Sequence, residues 1–328
     1  MSALLDIREL SKTYPAPGGA EVRAVNRVSL TLQRGEVLGI VGESGCGKST
    51  LGRALLRLIE PSGGQVFFEG EELTGLDRAA LKRRRRDLQI VFQDPFGSLN
   101  PRHRVGAIIR EPLDVHRVGT SRERAERVRE LLGIVGLPED AAERYPHEFS
   151  GGQRQRIAIA RALALEPKLI VADEPVSALD VSIQSQIINL IAELRARLGL
   201  SILFISHDLS VIRHVSDRIA VMYLGSIVET GPAGAVMDKP THPYTQALLS
   251  AIPRPDAAGR RQRIVLKGEL PDPAHPPSGC AFHTRCPFAM PVCTTDPPAL
   301  VPRRHDGRIR KAACHLYEPV GAETPHAA

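Results

Sequence analysis

Short apolar runs separated by longer amphipathic stretches organise the first two thirds of the chain. Four of these runs are too short for a typical helix and are rich in Ile, Val or Leu: EVLGIVG, LQIVF, LIVAD and SILFIS. Strands that are buried on both faces have this composition, because helices cover both sides of a parallel sheet. The pattern from about Leu4 to Leu224 therefore predicts an α/β fold with a parallel core sheet.

The long stretch between LQIVF and LIVAD has a different pattern. It contains several helical periodicities, such as RERAERVRELLGIVG from Arg122 to Gly136, and no convincing strand, which predicts a helical insertion at about residues 94–165. After Gly231 proline becomes dense, and Pro253–Arg263 followed by ELPDPAHPPSG is typical of a linker. We therefore expect one domain at 1–240 and a C-terminal extension at 241–328.

Composition narrows the function classes. The chain has 328 residues and 42% hydrophobic content, enough for a real core, and no apolar run approaches the roughly 18 residues of a membrane helix. The N-terminus has no basic leader, so we expect a cytosolic chain. The net charge of +6 includes the run Lys82–Arg86, which suits nucleic acid, an anionic membrane or a solvated face. With no Trp and 4% aromatics, the solvated face is favoured.

The clearest chemical motif is GESGCGKST. It fits G-x-x-x-x-G-K-[ST] directly after the apolar run VLGIV and before a helical run. Glycines allow backbone N–H groups to surround phosphate oxygens at a helix N-terminus. Lys48 should reach the β and γ phosphates, and the Ser49 hydroxyl should bind Mg²⁺. The predicted ATP-binding residues here are Gly42, Glu43, Ser44, Gly45, Cys46, Gly47, Lys48, Ser49 and Thr50, with Cys46 interpreted as a small filler.

Two acids end the apolar run in KLIVADEP. Ligands of open parallel sheets bind at the carboxyl ends of the strands, where these acids lie. Asp173 would hold Mg²⁺ through water, and Glu174 would polarise an attacking water as general base. Helix capping is the alternative, structural role for either carboxylate. Together with the phosphate loop, the acids predict hydrolysis of a nucleoside triphosphate.

A second glycine-rich helix start lies in FSGGQRQRIAIARA. Ser150 can cap this helix, and the bare backbone of Gly151 and Gly152 can accept a close anion. One chain cannot bring two separate helix starts onto the same γ-phosphate without a special geometry, whereas a second copy can supply one. The sequence therefore predicts a site shared between two chains.

With SGGQRQR as its signature, the chain resembles the nucleotide-binding subunits of ATP-binding-cassette transporters. In that family two cassettes pack head to tail, and each signature closes on the ATP held by the other phosphate loop. The resemblance implies a P-loop NTPase fold with a mostly parallel core sheet, an antiparallel β subdomain, a helical insertion and a small Cys-rich extension. It also implies that the partner's ATP is contacted by Ser150, Gly151, Gly152 and Gln153.

Further residues match the family's motifs in the family's order. The resemblance implies that Tyr14 of SKTYP stacks on adenine and that Asp180 of SALD crosses the dimer interface. Gln93 of VFQDP would contact Mg²⁺ and the attacking water, and His207 of ISHD would contact the γ-phosphate. Taken singly, Tyr14 is more typical of a half-buried strand residue and His207 of a structural histidine. The expected catalytic residues are Glu174, His207 and Gln93, and the expected Mg²⁺ ligands are Ser49, Gln93 and Asp173.

The tail gives a finer resemblance. THPYTQALLSAIP and GELPDPAHPPSGCAFHTRCP are similar to the extension of ATPases from dipeptide, oligopeptide and nickel importers, and EPVSALDVS is similar to the F-type member. This implies an ATPase that energises peptide import from the cytoplasmic face of the plasma membrane. The implied partners are a D-type sister ATPase, two permease subunits and, indirectly, an extracytoplasmic solute-binding protein, without nucleic acid.

The sequence leaves the cargo, the pairing of the ATPases and one rival function open. The cargo is peptide, nickel or another small solute, and the ATPase pair is a heterodimer or a homodimer. A soluble ATP-binding-cassette protein, such as a translation factor or a DNA-repair ATPase, is the rival function. Those proteins carry two cassettes or a long coiled coil, and neither pattern occurs in this sequence.

Four cysteines crowd into the last fifth of the chain. Their spacing, C-x₅-C-x₆-C-x₂₀-C, is wider than in zinc ribbons, but soft thiolates favour zinc or an iron–sulfur cluster over hard cations. Disulfides are the competing structural role, but a reducing cytosol disfavours them. A metal-binding regulatory protein is a further alternative function, but it would leave the ATPase motifs unexplained. Since the resembling importer ATPases include members with a four-cysteine cluster, we expect [4Fe–4S], with Zn²⁺ or no metal as alternatives. The expected ligands are Cys280, Cys286, Cys293 and Cys314.

Overall fold

The structure, a computed structural model, describes residues 3–252, 264–266, 268–305 and 308–320. The linker predicted at Pro253–Arg263 lies outside the described residues. Contacts between residues divide the chain into two compact units, each discontinuous in sequence. The first unit comprises residues 1–5, 32–37 and 67–206, and the second comprises 6–31, 38–66 and 207–328.

The secondary structure alternates strands and helices along most of the chain. The strands are β1 (Leu5–Pro15), β2 (Glu21–Leu32), β3 (Val37–Val41), β4 (Gly63–Phe68), β5 (Glu71–Glu72), β6 (Leu88–Val91), β7 (Leu169–Asp173), β8 (Ser201–Ile205), β9 (Arg218–Tyr223), β10 (Ser226–Pro232), β11 (Val301–His305) and β12 (Arg308–Ala312). The α-helices are α1 (Lys48–Leu55), α2 (Arg78–Arg84), α3 (Pro95–Ser98), α4 (Val105–Val115), α5 (Ser121–Ile134), α6 (Gly151–Leu163), α7 (Val181–Leu198), α8 (Leu209–Val215), α9 (Ala233–Asp238), α10 (Pro243–Ser250) and α11 (Val292–Thr295). Within the described ranges, none of these helices combines the length and the apolar character that crossing a membrane requires.

The first unit contains three neighbouring parallel strands. β7 lies between β6 and β8, with Leu169 opposite both Leu88 and Ser201. Every residue of β7 and β8 is buried, as expected for strands covered on both faces. The strands predicted from LQIVF, LIVAD and SILFIS are confirmed. β5 adds an antiparallel pair with the end of β4, where Phe67 faces Glu72.

Only helices follow β6 before β7 begins, and the predicted helical character of this region is confirmed. α5 shows why the sequence folds this way. Thr120 Oγ1 accepts a hydrogen bond from the N–H of Glu123, whose carboxylate accepts one from the N–H of Thr120. This capping box satisfies two N–H groups of the first turn, and Val128, Leu131 and Leu132 form the buried face at helical spacing.

The second unit combines parallel and antiparallel pairs. β3 pairs in parallel with β9, confirming the strand predicted from EVLGIVG. β9 pairs with β10, β10 with β12, and β11 with β12, all antiparallel. β11 and β12 lie in the C-terminal extension, where the sequence pattern predicted no strand. Their Arg-rich, alternating composition hides the strand signal, because the side chains are mostly polar.

The second unit also contains a sheet in which buried and more exposed residues alternate along the strand. β2, β1 and β4 are hydrogen-bonded neighbours in that order. In β2, Val28, Leu30 and Leu32 are buried, while the intervening residues are more exposed. Side chains alternate between the two faces of a strand, so this sheet has one face in the core and one toward solvent.

Candidate functional site

The phosphate-loop sequence follows directly from β3 and ends in α1. Lys48, the first residue of α1, is buried with only 4% of its surface exposed. Its Nζ donates hydrogen bonds to the carbonyl oxygens of Gly42, at 2.9 Å, and Glu43, at 3.0 Å. The ammonium group is therefore held at the loop by the loop's own backbone, where it can meet an anion.

Two loop positions have no room for a side chain. A Cβ on Gly47, whose φ is 104°, would overlap the backbone carbonyl oxygen of Ala24. A Cβ on Gly42 would overlap the carbonyl oxygen of Met222 at the end of β9. Backbone atoms cannot move aside as a flexible side chain can, so these two glycines are required by the packing of the loop.

Backbone N–H groups dominate the start of α1. Gly47 is the N-cap residue and, as a glycine, has no side chain with which to cap the helix. The first N–H groups of a helix lack partners within it, and the helix dipole makes this end positive. Burial raises the pKa of the neighbouring Cys46 thiol, which is 1% exposed, so this residue packs as a neutral side chain. The arrangement is suited to binding phosphate.

Asp173 and Glu174 lie at the carboxyl end of β7. Asp173 has no exposed surface, and Glu174 is 8% exposed. Glu174 has a φ of 48°, a left-handed conformation that is costly for a residue with a Cβ and that recurs at functional sites. Its N–H donates to the carbonyl oxygen of Ile205 at 2.9 Å, which fixes the turn.

Gln93 is joined to the second of these acids. Its Nε2 donates a hydrogen bond to Oε2 of Glu174 at 3.1 Å. The two residues are separated by 81 positions in sequence, and the parallel pairing of β6 with β7 brings the loop after β6 beside the end of β7. The structure thus brings together two residues expected to be catalytic, Glu174 from its place at a strand end and Gln93 from the family resemblance.

The second glycine-rich helix start belongs to α6. Ser150 Oγ accepts a hydrogen bond from the N–H of Gln153 at 3.4 Å, as predicted for a cap. In return, Gln153 Oε1 accepts one from the N–H of Ser150 at 3.0 Å, which completes a capping box. The S-x-x-Q spacing is the sequence signal for this box, whereas the prediction covered only the Ser150 cap.

The two signature glycines also have a packing role that sequence reasoning missed. A Cβ on Gly152 would overlap the Ile183 side chain on α7. A Cβ on Gly151 would lie 3.2 Å from Cδ2 of Leu179. Leu179 precedes Asp180, which is exposed and forms the N-cap position of α7 without a side-chain cap in the described part. Both glycines therefore allow α6 to approach the segment that contains Asp180.

Tyr14 and His207 lie in the second unit. Tyr14 is 38% exposed, and Lys12 Nζ lies 5.0 Å from the centroid of its ring. An exposed ring of this kind is able to stack on a base. His207 is exposed, and the Asp208 carboxylate after it accepts from the N–H of Ser210 at 2.7 Å, which fixes the start of α8.

The metal expectation for the C-terminal cysteines is not supported by the structure. In the described ranges, no group of three or more His, Cys, Asp or Glu side chains is arranged to hold a metal ion. Burial, together with the charge that the other three thiols carry when ionised, raises the pKa of Cys314 to about 11. A bound metal would displace this proton, since metals bind the thiolate form. The residues concerned, Cys280, Cys286, Cys293 and Cys314, are free thiols in the structure.

Three features of this chain are those expected of an ATP-binding-cassette ATPase: the phosphate-loop helix start, the Asp-Glu pair at a strand end and the capped signature helix. The ABC transporter family matches residues 25–177, and the family described as the C-terminal region of oligopeptide/dipeptide transporters matches residues 228–293. The chain belongs to the ABC transporter ATPases, in the branch that carries this C-terminal region.

Individual relatives extend over nearly the whole chain. The oligopeptide transport ATP-binding protein AppF of Bacillus subtilis is 54% identical over 96% of this chain and 97% of that protein. The probable peptide ABC transporter ATP-binding protein y4tS of Sinorhizobium fredii is 52% identical over 98% of this chain and 92% of that protein. The ATP-binding cassette MJ0796, solved as a dimer in a post-hydrolysis state with ADP and Pi, is 33% identical with a TM-score of 0.64, over 70% of this chain and 98% of that chain. The predicted α/β cassette fold is confirmed.

Proposed function

We propose that this chain hydrolyses ATP to energise the import of peptides through a pair of membrane permeases. The observation that carries the proposal is the presence, in one chain, of a complete ATPase motif set and the oligopeptide/dipeptide transporter C-terminal region. The names of AppF and y4tS, an oligopeptide transport and a peptide transporter ATP-binding protein, support the same cargo. In this proposal, residues 1–240 are the cassette and 241–328 the importer-type extension.

The phosphate loop and Lys48 hold the β and γ phosphates, and Tyr14 stacks on the adenine. Serine hydroxyl, glutamine amide and aspartate carboxylate oxygens are the hard ligands that Mg²⁺ prefers, so Ser49, Gln93 and Asp173 fit a Mg²⁺ site by their chemistry. When bound, Mg²⁺ would neutralise part of the negative charge of the phosphates.

Hydrolysis then needs a positioned water and a proton acceptor. The Gln93 amide, which hydrogen-bonds the Glu174 carboxylate, orients that carboxylate toward the water. Glu174 takes the proton while the water oxygen bonds to the γ-phosphorus and the bond to the β–γ bridging oxygen breaks. His207 contacts the γ-phosphate and stabilises the charge that it carries during transfer.

A partner cassette completes the site. The start of α6, with Ser150, Gly151, Gly152 and Gln153, contacts the γ-phosphate of the partner's ATP, and Asp180 crosses the interface. The dimeric post-hydrolysis state of MJ0796 with ADP and Pi supports a dimeric mechanism. For this branch we propose a D-type sister ATPase, two permeases and an extracytoplasmic solute-binding protein, with this chain peripheral at the cytoplasmic face.

The test is Glu174→Gln in the assembled transporter. The amide keeps the shape but cannot accept a proton, so hydrolysis and peptide uptake should fall by about 10² to 10⁴ while ATP binding persists. Glu193→Gln, an exposed glutamate on α7, is the matched control and should behave as wild type. Hydrolysis by Glu174→Gln within about threefold of wild type would refute the assignment, because loss of a general base costs far more. Nickel uptake in place of peptide uptake would replace the cargo and leave the ATPase mechanism intact.

The iron–sulfur cluster is a separate hypothesis, without support from the described thiol geometry. Anaerobic purification followed by iron analysis decides it. Brown protein whose iron is lost in Cys280→Ser and Cys293→Ser would establish a cluster whose binding rearranges these thiols. Iron-free, colourless protein that assembles and binds ATP would dismiss it.

A further inference from the structure

Glu43, the second residue of the phosphate loop, makes two contacts with the C-terminal extension. Its backbone N–H donates a hydrogen bond to the Tyr244 hydroxyl oxygen at 2.9 Å. Its carboxylate forms a two-point ion pair with Arg285, with Nη1 2.8 Å from Oε2 and Nη2 3.2 Å from Oε1. Both the backbone and the side chain of this loop residue are thus held by residues 201 and 242 positions away.

The ion pair is shielded from solvent. The Arg285 side chain is 9% exposed and that of Glu43 is 28% exposed. Paired N–H···O bonds between guanidinium and carboxylate fix geometry as well as charge, and shielding strengthens them. The Glu43 carboxylate also raises the pKa of Arg285, which therefore stays charged at any physiological pH.

The extension residues that make these contacts are rigidly supported. Tyr244 and Phe282 are almost completely buried and pack with Tyr223 of β9, with ring centroids 4.7 to 5.4 Å apart. The N–H of Arg285 donates to the carbonyl oxygen of Phe282 at 3.0 Å, so the aromatic cluster fixes the turn that carries the guanidinium. The same guanidinium lies 6.0 Å from the Tyr223 ring centroid.

A carboxylate in a phosphate-binding loop is electrostatically unfavourable unless it is neutralised. Like charges at a few ångströms repel strongly where solvent is partly excluded, and ATP brings several negative charges to this loop. Arg285 balances the Glu43 charge, and Tyr244 fixes the adjoining peptide. Nothing in the sequence motifs assigns either residue to the ATP site.

We propose that Arg285 and Tyr244 are positioning residues for ATP binding: they hold Glu43 neutralised and the start of the phosphate loop in place. The C-terminal extension is then a working part of the nucleotide site of its own chain. This inference rests on the assignment of Gly42–Thr50 as the phosphate loop.

The alternative is that the ion pair only fastens the extension to the cassette. The two roles predict different ATP affinities for a double variant. Arg285→Gln leaves the Glu43 carboxylate unpaired beside the phosphates, so ATP affinity of the isolated chain should fall about tenfold, as for loss of one charged hydrogen-bonded partner. Glu43→Gln combined with Arg285→Gln removes the repelling charge and should recover most of that affinity. A mere fastening role predicts no recovery in the double variant.

The measurement is titration of a fluorescent ATP analogue into the isolated chain, with thermal unfolding recorded for every variant. Arg304→Gln, an exposed arginine of β11, removes the same charge away from Glu43 and should leave affinity unchanged. The loss in Arg285→Gln should shrink as salt is raised, because repulsion from the unpaired carboxylate is screened. In the assembled transporter, the KM for ATP should rise while kcat stays within about twofold, since no group that touches the water has changed.

Different variants test the positioning role of Arg285 and Tyr244 and the assignment of the phosphate loop. Lys48→Ala tests the loop alone, and wild-type affinity in that variant would overturn the proposed ATP site. If Arg285→Gln does not fold, Tyr244→Phe removes only the hydroxyl that accepts from Glu43 and should raise the dissociation constant severalfold. ATP affinity within twofold of wild type in folded Arg285→Gln or Tyr244→Phe overturns the inference, as does a double variant no better than Arg285→Gln.

Discussion

α1 and α6 both have glycine at their N-terminal ends, but their N-cap positions differ. α1 follows Gly47, which has a φ of 104° and provides no side-chain cap. α6 follows Ser150, which exchanges two hydrogen bonds with Gln153 in a capping box. The first helix has no side chain at its N-cap and carries Lys48 at its first position, whereas the second satisfies part of its own first turn. Glycine content alone therefore does not show how the first turn of a helix is satisfied.

The glycines themselves are required for different reasons. Gly47 lies against a backbone carbonyl oxygen, that of Ala24, whereas Gly152 lies against the side chain of Ile183. A side chain can be shortened by substitution, but a backbone carbonyl cannot. The comparison predicts that damage at the signature helix can be repaired by a second substitution and damage at the phosphate loop cannot.

The largest effect is expected from Gly47→Ala. The added methyl overlaps Ala24 and the residue must adopt a φ of 104°, so the loop cannot keep its shape and ATP affinity should fall more than about 100-fold. Gly45→Ala is the matched control, because its φ is 80° but a Cβ there meets nothing within 4 Å. A fluorescent ATP titration should show a clearly smaller loss for Gly45→Ala. Wild-type affinity in Gly47→Ala would contradict the packing argument.

A smaller effect is expected from Gly152→Ala. Overpacking against Ile183 should lower the free energy of unfolding by about 1–3 kcal/mol, measured in urea, with ATP binding by the isolated chain unchanged. Adding Ile183→Ala makes room for the new methyl, so the double variant should be more stable than additivity predicts. Strict additivity of the two substitutions would show that this contact is not the cause.

Local patterns explain what the sequence could predict. β3 and β7 are apolar runs that lead directly into their motifs, and the phosphate loop follows a fixed spacing. The Gln93–Glu174 hydrogen bond depends on strand pairing across 81 residues, so only the family resemblance connected these residues beforehand. The Glu43–Arg285 pair spans 242 residues and has no local signal at all.

Residue type without geometry explains why the metal expectation has no support in the described residues. The four C-terminal cysteines have suitable chemistry for a soft metal, but spacing in sequence does not fix how thiols are arranged in space. The burial of Gln155 was not predicted, because this residue lies in a polar stretch of the sequence. The structure buries it completely, and neither side-chain amide atom has a hydrogen-bond partner among the described residues. Its burial follows from α6 packing in the helical region, which the sequence alone does not specify.

The smallest effect is expected from Ser150→Ala. Removing an N-cap hydroxyl costs about 1 kcal/mol of stability, which urea unfolding resolves. Ser150→Asp preserves a side-chain oxygen at the N-cap and should retain wild-type stability, although its charge should slow hydrolysis in the assembled transporter by opposing the partner's phosphate. Equal stability of the alanine variant and wild type would mean that the capping box contributes nothing.

The central claim is that the uncapped start of α1 binds this chain's own ATP and the capped start of α6 does not. The most direct measurement compares ATP affinity of the isolated, dilute chain in Lys48→Ala and Gly151→Asp. An aspartate in the first turn favours the helix, and its Cβ lies 3.2 Å from a movable Leu179 atom, so the fold should persist. The account predicts loss of ATP binding in Lys48→Ala and unchanged binding in Gly151→Asp, whose assembled transporter nevertheless fails to hydrolyse ATP. Equal loss of ATP binding in both isolated variants would contradict it.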